Sequence, residues 1–111
     1  MTDWTAGEPQ VCFDECRSCA RRWPLPRAAC PHCGTPDPQR RGAAGTGTVA
    51  ALTVVHRAPE GAPHPPTPFA LVLVDLDEGV RVMGRAAGVS AVGERVAVGF
   101  PDGVPSFAPA R

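Results

Sequence analysis

The sequence predicts a mainly β protein in which a small cysteine-rich module precedes an all-strand domain, and three observations carry that reading. All five cysteines lie within residues 12–33, four of them as paired Cys-x2-Cys units. Downstream of residue 48 the chain becomes a series of short apolar runs rich in valine, separated by turns that contain Gly or Pro. No segment carries a convincing apolar period of 3.6 residues, so little helix is expected. With 111 residues there is room for one small domain or two miniature ones, and a large catalytic architecture is excluded.

Residues 1–11 (MTDWTAGEPQV) are polar and aperiodic and read as a flexible N-terminal arm or a short docking arm. Residues 12–41 form the cysteine module. Cys16 and Cys19 are separated from Cys30 and Cys33 by ten residues. Two residues between ligands let a tight turn aim both sulfurs at one point, and four thiolates at such spacing fill the shell of one tetrahedral, structural zinc. Gly34 follows the second pair and accepts the positive φ with which these turns end. The rival reading, a redox dithiol, requires a Cys-x2-Cys at the start of a helix after a strand, and neither flank has that pattern. His32 lies inside the second unit and reads as a surface spacer. Cys12 is the spare thiol, either a strand residue packed beside Phe13 or, by its spacing, an exchange ligand for Cys16 or Cys19.

Residues 42–111 form the strand domain, opening with a Gly-rich joint at 42–48 (GAAGTGT). Residues 49–56 (VAALTVVH) are β-branched and read as a long first strand. Five prolines in 57–68 make the next segment an unpaired loop. Residues 69–76 (FALVLVDL) and 80–85 (VRVMGR) flank Asp77-Glu78-Gly79 and form a hairpin. Residues 94–100 (ERVAVGF) alternate, placing Val96, Val98 and Phe100 on one buried face. Only 104–107 could add a brief edge strand after that. Four or five short strands in so small a chain are expected to close into a barrel, which removes exposed edges.

Eleven basic and eleven acidic residues cancel, so no global field draws nucleic acid or an anionic membrane. Every basic residue is Arg, and Lys, Ile, Asn and Tyr are missing altogether, which points to a GC-rich bacterial genome. No apolar stretch approaches the roughly 20 residues needed to span a bilayer and no leader opens the chain, so a cytoplasmic location is expected. The neutral total hides a local bias: between Cys16 and Arg41 there are six Arg against Asp37 alone. Asp75, Asp77 and Glu78 read as a solvated turn rather than a catalytic carboxylate cluster. No Ser, His and acid combination has the order or spacing of a nucleophilic site, so no catalytic residue is assigned.

The runs Cys16-Arg-Ser-Cys19, Arg22-Trp-Pro-Leu-Pro-Arg27, Cys30-Pro-His-Cys33, Gly45-Thr-Gly-Thr-Val49 and the segment from Pro68 to Gly79 together resemble the DUF35 family. The resemblance covers residues 12 to about 108 and implies a rubredoxin-like zinc ribbon followed by a small OB-fold barrel. Ala20 departs from it, standing where the family often has Gly. The resemblance further implies a non-catalytic accessory subunit that binds a thiolase-fold enzyme acting on acyl-CoA substrates. The alternative partner is a hotdog-fold (MaoC-like) enoyl-CoA hydratase. In such a complex Arg21, Arg22 and Arg27 are candidates for the CoA phosphates, since guanidinium forks match phosphate oxygens; a solvated Arg face is the plainer reading. Trp23, set among prolines, either packs on the ribbon or meets a partner, and Trp4 reads as interface or disorder rather than core. A single-stranded nucleic-acid binder, the competing class for an OB-fold, is disfavoured by only six aromatics and a strand region with no basic excess.

Overall fold

The structure, a computed structural model, describes residues 2–61 and 63–110; Met1 of the expected arm, Ala62 of the proline-rich loop and Arg111 at the end of the strand domain lie outside the described residues. Eight strands follow in chain order: β1 (Cys12–Glu15), β2 (Arg22–Trp23), β3 (Gln39–Gly42), β4 (Thr46–Val55), β5 (Phe69–Leu76), β6 (Arg81–Ala86), β7 (Arg95–Gly99) and β8 (Ser106–Pro109). The first three form a sheet in the order β2-β1-β3, and the other five close into a barrel in the order β4-β5-β6-β8-β7, with β7 returning to β4. This is the expected ribbon followed by an OB-like barrel. Among the described residues no helix is long and apolar enough to cross a membrane.

β4 has to serve two neighbours, and its length makes that possible. Thr46 to Thr48 pair with β7, while the strand as a whole pairs with β5 across a register shift between Val49 and Ala51. Such an irregularity bends a strand and sharpens its twist, which lets a sheet of few strands close on itself. The β5–β6 hairpin turns at Gly79, whose φ of 88° is open to Gly and strained for other residues.

The C-terminal strand differs from its expected role as an edge. β8 runs parallel to β6 and antiparallel to β7, so it is the stave that seals the barrel. Phe107, at its centre, is fully buried. The prolines of this stretch lie at the ends of the strand, where they do not interrupt its pairing. Pro105 supplies its carbonyl to the Arg85 N–H, and Pro109 ends the strand.

The core combines Val49, Val72, Val74, Leu76, Val80, Val96 and Phe107 of the barrel with Val11 and Phe13 from the ribbon side. Val96 is fully buried, and Val98 and Phe100 pack against the same cluster, as the alternation in 94–100 predicts. Burying a side chain of this size stabilises the fold by about 1.5–3 kcal/mol, so the two ribbon residues are a substantial part of so small a core. Within the segment expected as an arm, Trp4–Ala6 forms a 3-10 turn whose Thr5 N–H donates to Asp3. Trp4, read from sequence as interface or disorder, packs against the barrel core.

Gly84 on β6 is required by close approach. A Cβ there would lie 2.6 Å from Phe107 Cε2. Gly84→Ala is expected to lower stability by about 1–3 kcal/mol through overpacking, measured as a shift in the urea midpoint with an unchanged slope.

Candidate functional site

The two Cys-x2-Cys units fold into matching knuckles. In the first, the Cys16 N–H donates to Arg21 O (2.8 Å) and the Ala20 N–H to Cys16 O (3.2 Å); in the second, the Cys30 N–H donates to Thr35 O (2.9 Å) and the Gly34 N–H to Cys30 O (3.0 Å). Each turn closes with a left-handed residue, Ala20 at φ 62° and Gly34 at φ 81°. The four Sγ atoms converge within 4.8 Å of one another. Cys16 and Cys33 are separated by 3.5 Å, and Cys19 and Cys30 by 3.7 Å.

This spacing fits a tetrahedral metal. Sulfurs about 2.3 Å from a central zinc stand about 3.8 Å apart, and four thiolates so close together repel unless a cation lies among them. Backbone donors are already aimed at the sulfurs. The Ser18 and Cys19 N–H groups point at Cys16 Sγ, and that of His32 at Cys30 Sγ, each at 3.4 Å. The Cys19 N–H, with that of Ser18 and the neighbouring thiols, holds the Cys16 thiol down to about 6. Trp23 packs beside Cys16 and Cys30, the two buried cysteines of the cluster, whereas Cys19 and Cys33 face solvent. Thus Cys16, Cys19, Cys30 and Cys33 could hold a zinc ion, with His32 as an exposed spacer contributing only its backbone.

Cys12 stands apart from this cluster. It is buried in β1 next to Phe13, with its Sγ 3.6 Å from Thr2 O, and burial pushes its thiol up.

The arginines are distributed differently from the expected basic face. β1 is the central strand of the ribbon sheet, and its acids lie across from the arginines of both neighbours: Glu15 faces Arg22, and Asp14 faces Arg40. Arg22 Nε donates to Glu15 at 2.6 Å, its Nη1 donates to Glu78 O at 2.8 Å, and its guanidinium lies 5.2 Å from the centre of the Phe13 ring. Arg40 bridges Asp3 (2.8 Å) and buried Asp14 (3.2 Å), and Arg41 reaches Glu15. Arg17 donates to Asp37 O at 2.7 Å. Among the described residues, the side chains of Arg21 and Arg27 are exposed and form no ion pair, although the Arg27 N–H donates to Asp14. Counting charge from Cys16 onward leaves out Asp3, Asp14 and Glu15, the acids that pair with Arg22, Arg40 and Arg41. Asp14 and Glu15 directly precede Cys16 in the sequence, and only the strand order places them between the arginines of β2 and β3.

The acidic turn is a set of ties. Asp75 pairs with Arg81, and Asp77 accepts two N–H bonds from Arg95 (2.7 and 2.9 Å) and the Thr46 hydroxyl at 2.7 Å. Glu78 accepts the Ala44 N–H at 2.8 Å and so fixes the Gly-rich joint.

Comparison with known proteins gives consistent relatives. A sequence model of the ChsH2 C-terminal OB-fold domain matches residues 41–101. A probable enoyl-CoA hydratase alpha subunit from Thermomonospora curvata is 32% identical over 98 residues, covering 86% of this chain and 29% of that protein. The 3-oxo-4,17-pregnadiene-20-carboxyl-CoA hydratase alpha subunit of Mycobacterium tuberculosis is 46% identical over 57 residues, or 51% of this chain and 17% of that one. The chain therefore spans less than a third of the length of these curated relatives. Among solved structures, an Ltp2-ChsH2(DUF35) aldolase superposes with a TM-score of 0.75 at 30% identity, covering 92% of this chain and 86% of that chain. A DUF35-family protein of unknown function from Sulfolobus solfataricus shares the fold, with a TM-score of 0.66 at 17% identity over 91% of this chain and 76% of that one.

Two outcomes follow from this geometry. Ala20 holds a backbone conformation that costs an L-residue roughly 1–2 kcal/mol, partly offset by the greater chain entropy that Gly would lose. Ala20→Gly is expected to raise stability by about 0.5–1 kcal/mol in a denaturant titration of the metal-loaded protein. For pH, the hydrogen bonds from Arg95 and then Thr46 hold Asp77 at about 2 against an ordinary 3.8. A folded value below the unfolded one gives stability that is present above the unfolded pKa and lost as pH falls toward the folded one. Melting temperature should fall between about pH 4 and pH 2, and Asp77→Asn should be less stable than the parent at neutral pH, with the gap narrowing across that window.

Proposed function

The chain belongs to the DUF35 family, and on that premise we propose that it is a non-catalytic accessory module of a thiolase-fold, aldolase-type enzyme acting on acyl-CoA substrates. The observation that carries this reading is the likeness to the Ltp2-ChsH2(DUF35) aldolase over 92% of this chain at 30% identity. Shared fold alone would not carry function, but here sequence and fold run together through both ribbon and barrel. The names of the two hydratase alpha subunits favour a second reading, in which the partner is a hotdog-fold enoyl-CoA hydratase.

In this role the zinc is structural. Held by Cys16, Cys19, Cys30 and Cys33, it replaces the apolar core that a module of about 30 residues lacks. Arg21 and Arg27 are the ribbon groups proposed to meet CoA phosphates at the partner's entrance. Arg22, the third arginine of the sequence reading, has its guanidinium occupied by Glu15 and Glu78 O, so its part is to hold the ribbon in place.

Tagged chain produced in its native host should copurify with an acyl-CoA-processing enzyme and carry one zinc per chain by elemental analysis. Replacing Arg21 and Arg27 with Gln should leave zinc and melting temperature unchanged. It should weaken acyl-CoA binding by the complex by about 1–3 kcal/mol in total, taking ~1 kcal/mol per charged contact, with a smaller loss at high salt. A chain that runs alone beside both candidate enzymes, or a zinc-free folded protein, counts against the reading.

A further inference from the structure

β5 is apolar on both of its faces. Val72, Val74 and Leu76 turn into the core, while the alternate positions Phe69, Leu71 and Leu73 lie on the outer surface and are only partly buried. A strand covered on one side alone reads apolar and polar by turns, so a continuous apolar run marks a strand that is covered on both sides. On the outer face Leu73 sits between Ala51 of β4 and Met83 of β6. Met83 is 63% exposed, and a shallow hollow of about 280 Å³ lies over Leu71, Leu73 and Met83.

This face continues onto the ribbon. Leu73 and Met83 also form one wall of a deeper groove of about 470 Å³, whose other walls are Trp4 of the N-terminal turn and Pro24, Leu25 and Pro26 of the loop after β2. Leu25, at the lip, is 71% exposed. On the barrel side of the margin the charges pair, Arg81 with Asp75 at 2.7 Å and Arg85 with Asp102 at 3.3 Å. The barrel face therefore matches a neutral, apolar protein surface. A stable complex needs about 800 Å² from each partner, roughly an eighth of the 6720 Å² that this chain exposes, and a face spanning both modules can supply it. A concave groove beside a flat apolar face is also the form that receives a large anchoring side chain.

We propose that the outer face of β4, β5 and β6, together with the groove under Leu25, is the surface on which the acyl-CoA-processing enzyme docks, with one bulky apolar side chain of that enzyme seated in the groove. The inference rests on the accessory-subunit reading and adds where the partner binds. It also places Arg27, two residues after Leu25, at the seam between the two proteins.

The test uses the full-length chain and the enzyme that copurifies with it, identified by mass and then produced separately. Met83→Glu and Leu25→Glu change solvent-facing side chains, so zinc content and melting temperature should match the parent. Each should weaken binding of that enzyme at least 100-fold. Val92→Glu, at an apolar residue 63% exposed on the loop before β7, should bind as the parent does. Unchanged binding in both face variants, or loss in Val92→Glu instead, overturns the assigned face while leaving the accessory role intact. A parent dimer that Met83→Glu dissolves, with enzyme binding unaffected, assigns the face to a second copy and overturns the proposal. A parent that binds neither enzyme class overturns the accessory reading and the docking face with it.

Discussion

Phe13 belongs to two structures at once. It lies in the central strand of the ribbon sheet, yet its ring is buried in the core of the barrel, and Val11 joins it from the same face of β1. The opposite face of the strand carries Asp14, buried against the Arg40 guanidinium and the Arg27 N–H, and then Cys16, a thiol of the metal cluster. The strand and the residue on either side of it thereby link the barrel core, the arginine ties and the cysteine cluster through the plain alternation of their side chains. A chain of this size cannot build two apolar cores. The ribbon gathers four thiols that could hold a metal in place of a core, and its apolar Phe13 is given to the neighbouring barrel.

That sharing has an energetic consequence. If the metal orders the ribbon, then loss of the metal frees β1, and the barrel loses Val11 and Phe13 from a core that otherwise consists of seven buried side chains. Ion pairs reinforce the joint without supplying its main energy, since Arg22 and Arg41 are partly solvated and such pairs contribute on the order of 1 kcal/mol or less. Their role is directional. Arg22, bound to Glu15 on one side and to Glu78 O on the other, sets the angle at which the ribbon meets the β5–β6 turn.

Most of this architecture is legible in the residues. The paired Cys-x2-Cys spacing forces the thiols together, and the apolar runs locate β4 to β7 to within a few residues because each is bounded by Gly or Pro. What the sequence conceals is non-local. β8 looks like a weak edge until the barrel closes on it, because pairing on both sides depends on where β6 and β7 lie. The arginines of the ribbon look like a basic patch until strand order puts Asp14 and Glu15 between them. Trp4 looks like a loose terminal residue because nothing in an aperiodic stretch of eleven residues announces that the core has an open flank for it. The positive φ at Ala20 is likewise invisible in composition, and it emerges only when the first knuckle is laid beside the second, where Gly34 does the same work without strain.

The same distinction between local and non-local information bears on β5. Its unbroken apolar run first reads as a buried strand, which is true of Val72, Val74 and Leu76 and leaves Phe69, Leu71 and Leu73 unexplained. A five-stranded barrel has one interior, and among the described residues no second layer lies over the outer face of β5, so Phe69, Leu71 and Leu73 stay only partly buried. Along the barrel side of that face the arginines are held in ion pairs, Arg81 with Asp75 and Arg85 with Asp102. The groove beside it joins the ribbon loop to the barrel wall, so the relative placement of the two modules, fixed by Phe13 and Arg22, also fixes the shape of the surface. On this view the metal's effect extends beyond the ribbon: by holding β1 and the loop that carries Leu25, it sets the geometry of a face that lies mostly on the barrel.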